Sequence, residues 1–164
     1  MSSDRPALLE ASIKRRLVDA QRHLRALEQS GAFFGGDFEL GEFERAWQSS
    51  VPDELNRANA VHAGYENVVN ACIRSAQELC ELEGWTTANR EPTSTEALKQ
   101  LQQHSVIAPK THSAMKEAYE RRSAVQHDYV GVAARALHGA VELVLVHAPL
   151  LLQDVAAQLR QRGA

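Results

Sequence analysis

Residues 121–130, RRSAVQHDYV, put two guanidinium groups, an imidazole and a phenol within ten positions. An arginine offers a permanently charged, planar fork of donors that fits the oxygens of a phosphate. A histidine exchanges a proton near neutral pH. Together, without a metal, they are enough in principle to cleave RNA. The imidazole manages protons at the 2′-hydroxyl or the leaving oxygen, while the guanidinium holds the charged phosphorus centre. Arg122 and His127 are the residues on which such chemistry rests, with Arg121, Ser123, Asp128 and Tyr129 beside them.

These residues need a scaffold, and the apolar spacing supplies a helical one nearly everywhere. Leu9, Ile13, Leu17, Ala20, Leu24 and Leu27 predict a helix over 4–29, capped by Asp4 and stopped at Gly31. Ala58, Val61, Tyr65, Val68, Cys72, Ala76 and Leu79 predict another over 53–84, with a capping box at Ser50–Asp53 and a stop at Gly84. Thr93 and Glu96 form a second capping box before a helix over 95–103. Pro109 opens a helix over 109–130 that Gly131 is placed to stop. The last, 132–162, is the most regular, with Pro149 expected to kink or split it. No strand emerges, so the expected fold is all-α: one domain over 1–164, an antiparallel helical bundle with its core in 53–160. Segment 31–47 holds all four phenylalanines and four of the nine glycines, and is expected to be a loop. It either tucks its aromatics over one end of the bundle or presents them to a protein partner.

On this scaffold His127 falls in the last turn before Gly131, where the carbonyl end of the helix and the neighbouring Asp128 both favour the imidazolium. Arg122 and His127 lie about 140° apart on an ideal helix. They converge only if the arginine stem reaches back or if two subunits pool their copies.

Composition sets limits. The chain has 164 residues, 44% hydrophobic and 24% charged, with a net charge of −3 that does not favour a broad nucleic-acid surface. MSSDRP lacks the apolar core of a signal peptide, and the run 141–152 is broken by Glu142, His147 and Pro149. A cytoplasmic protein without membrane association is expected. Cys72 and Cys80 lie eight apart on one helix, roughly 12 Å along its axis and too far to bridge, so both are expected to be reduced core residues. The seven histidines show no metal-ligand spacing. His62, His104, His112, His138 and His147 are expected to be solvated or singly hydrogen-bonded. GAFFGGDFELG follows a helix, whereas the phosphate-cradling glycine loops need a preceding strand. No nucleophile elbow is present.

The string Arg122-Ser-Ala-Val-Gln-His127-Asp-Tyr129, R-x4-H-x-Y, resembles the signature of HepT-type toxins in the HEPN superfamily. Its setting is similar as well: VIAPKTHSAMKEAYERRSAVQHDYV looks like the family's "VI" turn and motif helix. VELVLVHAPLLLQDV looks like its terminal helix, and GYENVVNACIRSAQ more weakly like its core helix. The resemblance covers roughly residues 53–160. It implies a HEPN-like bundle that forms a homodimer and lines a cleft with the motif from both chains. It implies a metal-independent endoribonuclease that needs no cofactor, and a cognate MNT-type nucleotidyltransferase antitoxin, MntA-like, in a type VII-like pair. Arg122 and His127 then become the RNase pair acting on an RNA substrate, and Tyr129 the acceptor of AMP that silences the toxin. Ser123 departs from the family, which usually carries Asn or Asp there. Arg121 also satisfies a looser R-x5-H spacing, so either arginine remains open. A non-catalytic HEPN module that docks a nucleotidyltransferase is the alternative function, and a purely structural helical dimer the third.

Overall fold

The computed structural model describes residues 4–86, 91–126 and 132–163, and within them the protein is all-helical. Six helices follow in order: α1 (Asp4–Ala32), α2 (Leu40–Trp47), α3 (Pro52–Glu83), α4 (Ser94–Gln103), α5 (Pro109–Gln126) and α6 (Val132–Arg162). Residues 127–131, which carry His127, Asp128, Tyr129 and the expected stop at Gly131, lie outside the described residues.

Helix α3 packs against all five others. Arg5 pairs with Glu81 at 3.0 Å and Arg16 with Glu78 at 2.5 Å, so α1 runs antiparallel to α3. Its other end meets α3 where Leu27 crosses Gly64 so closely that a Cβ there would sit 3.2 Å from Leu27 Cδ1. Arg162 reaches Glu83 at 2.8 Å, which sets α6 parallel to α3. Helix α5 packs along α6 and, more sparsely, on α3. Buried side chains from every helix form one core, with Tyr65, Phe43, Leu98, Met115 and Leu137 among its largest members.

The helix ends follow local chemistry, with two corrections, the first being that α1 runs through the expected stop at Gly31 to Ala32. Gly84 adopts φ 75°, and Trp85 N–H closes on the Cys80 carbonyl at 2.8 Å, ending α3 as expected. The Thr93–Glu96 capping box forms in both directions. The expected box at Ser50–Asp53 does not form: Val51 is the N-cap and has no side-chain bond to give. Ser49 Oγ instead accepts from Val51 N–H at 3.0 Å and donates to Glu54 at 2.6 Å. Pro149 does not split α6, which is helical through it.

Two further expectations are revised. Helix α6 contains an 18-residue stretch long and apolar enough, by composition, to cross a membrane, because Glu142 and His147 are too few to offset its aliphatic residues. Its apolar stripe, Leu137, Val141, Val144, Ala148, Leu151 and Val155, is buried in the bundle. Segment 31–47 is also more ordered than a loop. Gly31 and Ala32 complete α1, and residues 40–47 are α2.

Between α1 and α2 the chain turns tightly. Phe34, Phe38 and Phe43 are buried and meet at centroid distances of 5.2–6.1 Å, while Phe33 stays exposed under Arg57. Phe38 takes φ 51°, which costs an L-residue roughly 1–2 kcal/mol. His138 on α6 holds it there. The two rings stack at 4.4 Å, Nε2 donates to the Phe38 carbonyl at 2.5 Å, and Nδ1 faces the Glu142 carboxylate at 3.1 Å. His138 is thus buried with one hydrogen bond, as one of its two expected settings had it, and His147 is buried as well and not solvated. A well-packed imidazole accepts the strain of Phe38 because it satisfies that residue's carbonyl and covers its ring. His138→Ala is expected to lose about 2–3 kcal/mol, measured by urea unfolding. A loss under half that would show that Phe38 is held by the other phenylalanines alone.

Both cysteines are buried and reduced. Burial pushes their thiols up from 9.0 to about 12. An acid whose folded pKa is raised stabilises the fold below its unfolded value and loses that contribution as pH climbs toward the folded one. Stability is thus expected to fall between pH 9 and 12. Cys72→Ala should flatten that part of the pH–stability curve. Neither thiol should react with a disulfide reagent at pH 8 until the protein is unfolded.

Candidate functional site at the α3–α5 cleft

Helix α5 meets α3 through two consecutive α3 residues. Tyr65 is fully buried and its hydroxyl donates to the Ala118 carbonyl. Burial raises its phenol well above the ordinary value. Arg122 and Arg121 pull it back and Glu66 adds to the rise. The next residue, Glu66, points to the following turn of α5, where Arg122 Nη2 lies 3.7 Å from its Oε2. The other Glu66 oxygen lies 3.5 Å from His62 Nε2. His62, Glu66 and Arg122 thus form a short polar array across the two helices, and each is about a quarter to a third exposed. Trp47 of α2 stands edge-on to His62, with centroids 5.8 Å apart.

The two arginines that sequence spacing left open face different neighbours. Arg121 pairs with Glu117 at 2.6 Å and lies across α6 at Gly139, where a Cβ would clash with its Nη1. Arg122 turns to α3, with its guanidinium 5.4 Å from the Tyr119 ring centroid. Its Nε is buried with no hydrogen-bond partner among the described residues. Such a donor costs roughly 1–3 kcal/mol, so this side chain is not placed for stability alone. Ser123 is exposed on the same helix.

Beside Arg122 a cleft of about 250 Å³ opens between α3, the start of α4 and α5, and Asn70, Arg74, Gln77, Ser94 and Tyr119 line it with Arg122. Glu66, Asn70, Arg74 and Gln77 step by four, four and three residues, which keeps them within about 80° on one face of α3. Sequence reading did not single out this polar stripe. Its signal was present, because helical spacing applies to polar residues as it does to apolar ones. A larger cavity of about 390 Å³ lies between α1, the Phe38 turn and α6. Its carboxylates Glu28, Asp37 and Glu142 make it unsuited to an anion. Among the described residues no group of His, Cys, Asp and Glu side chains is arranged to hold a metal ion.

The arrangement offers an anion two guanidiniums, Arg122 and Arg74, that line one cleft. Comparison with family models, with curated proteins and with solved structures finds no match.

The geometry ranks the two residues that join the helices. Tyr65 fills the interface, so Tyr65→Ala should cost about 3–5 kcal/mol. The Glu66–Arg122 pair is partly solvated, so Glu66→Ala should cost no more than about 1 kcal/mol. Chemical denaturation of the two variants checks this order, and the reverse order would make the Glu66–Arg122 pair the main link between α5 and α3.

Proposed function

We propose that the protein is a metal-independent endoribonuclease of HEPN-like fold, the toxin of a type VII-like pair, acting in the cytoplasm as a homodimer. Arg122 holds the scissile phosphate, and His127 moves the proton between the attacking 2′-hydroxyl and the leaving 5′-oxygen. The 2′-oxygen attacks phosphorus as the bond to the 5′-oxygen breaks, so no water or metal enters the first step. An MntA-like nucleotidyltransferase silences the enzyme by transferring AMP to Tyr129, whose new phosphate competes for Arg122.

The observation that carries this reading is the setting of Arg122. It lies in an open polar cleft, beside a second arginine, five residues before a histidine. The all-helical fold and the R-x4-H-x-Y string support it. Pooling two motif copies in a dimer raises the local positive charge, which a chain of net −3 needs in order to hold RNA. The Glu66 carboxylate beside Arg122 favours a second reading, a HEPN module that docks a nucleotidyltransferase without cleaving, because it already partly neutralises the guanidinium.

His127→Ala is expected to lower RNA cleavage at least about 100-fold with an unchanged melting temperature. Arg122→Ala should do the same through lost phosphate binding, and a chelator should leave the wild-type rate unchanged. Cleavage that persists in both variants points to a different site. With the partner enzyme and ATP, peptide mass spectrometry should find AMP on Tyr129, and Tyr129→Phe should escape silencing.

A further inference from the structure

We propose that Arg74 forms a second phosphate site in the α3–α5 cleft, holding a neighbouring phosphodiester of a single-stranded RNA whose scissile phosphate sits at Arg122. The choice of RNA as ligand rests on the reading above, whereas the site itself rests on the cleft.

Arg74 is exposed on α3, lines the same cleft as Arg122, and forms no ion pair among the described residues. The two guanidiniums differ in their freedom. Arg122 is restrained by Glu66 and by the Tyr119 ring, and Arg74 has no such partner among the described residues. Glu91 is the one carboxylate among the residues that line the cleft. Around Arg74 the walls carry neutral hydrogen-bonding groups. The Asn70 amide and the Ser94 hydroxyl face the cavity, and the Gln77 amide donates to the Pro92 carbonyl at 2.9 Å. That last bond ties the segment before α4 to α3 and fixes the width of the cleft.

A space of about 250 Å³ is the size of a short sugar–phosphate link, and Arg74 and Arg122 both line it. Arginines lining a groove beside an aromatic ring are the usual means of holding a single strand. In a chain of net −3 a recess shared by two arginines concentrates positive charge locally, where a phosphate can meet it. An exposed arginine contributes little to folding, which makes its removal a clean test.

The test uses the full chain and a uniformly 2′-O-methylated single-stranded RNA oligonucleotide, which cannot be cleaved through its 2′-oxygens. Binding is followed by fluorescence anisotropy over a range of salt. Arg74→Ala should weaken binding roughly ten-fold at low ionic strength and reduce the salt slope by about 0.7, the share of one phosphate contact on a single strand. Arg74→Lys should restore most of the slope, and the melting temperature should not move in either variant. An unchanged affinity and slope in Arg74→Ala, or an oligonucleotide that the wild-type protein does not bind, overturns the Arg74 site. Cleavage of unmodified RNA by wild-type protein, compared with His127→Ala, judges the nuclease reading separately. If cleavage is absent while Arg74-dependent binding persists, the nuclease reading fails and the phosphate site stands.

Discussion

The register between α3 and α5 governs what this protein can do. Tyr65 and Glu66 are adjacent on α3, and they engage Ala118 and Arg122, one turn apart on α5. The buried tyrosine supplies the packing and a fixed hydrogen bond, and the carboxylate beside it then meets the arginine. A slip of α5 by one residue would turn Arg122 away from α3 and bring a neighbour into its place. The fastening is apolar and the consequence is polar, which lets the site keep an imperfectly satisfied guanidinium without loss of the fold.

The opposite end of the bundle solves a different problem. Two phenylalanines, Phe34 and Phe38, enter the core from a tight turn and meet Phe43 of α2 there, and Phe38 carries the strained backbone. His138 answers with its ring face and both ring nitrogens, reaching from α6 across the gap between α1 and α2. The aromatic segment is therefore mainly a plug. Phe33, exposed beneath Arg57, is the one phenylalanine left for solvent or a partner.

Electrostatics divides the surface. The larger cavity carries Glu28, Asp37 and Glu142, and the smaller cleft carries Arg74 and Arg122 against the single carboxylate of Glu91 among its described lining residues. A modest net charge conceals this separation, since opposite fields on different faces cancel in the sum but not at a ligand. Glu66 tempers the basic cleft. Any anion proposed to bind there would compete with this carboxylate for Arg122.

Much of this was legible in the chain. Helical periodicity gave the all-α class and the bounds of α6, and Gly84 and the Thr93–Glu96 box marked their helix ends, because these depend on residues a few positions apart. Short range also explains the failures. Ser50–Asp53 has the letters of a capping box, but Pro52 already begins the helix and Val51 becomes its cap. Helix α2 is eight residues long, too short for its period to stand out among glycines. The R-x4-H-x-Y string and its two candidate arginines came from sequence alone. Tertiary packing decided that Arg121 lies on α6 and Arg122 on α3, because neighbouring residues on a helix point about 100° apart and only the adjoining helices define what each direction means. The polar stripe of α3, the partnership of Glu66 with both His62 and Arg122, and the cleft beside Arg74 join residues dozens of positions apart. Such pairings are set by how helices cross, which no local spacing encodes.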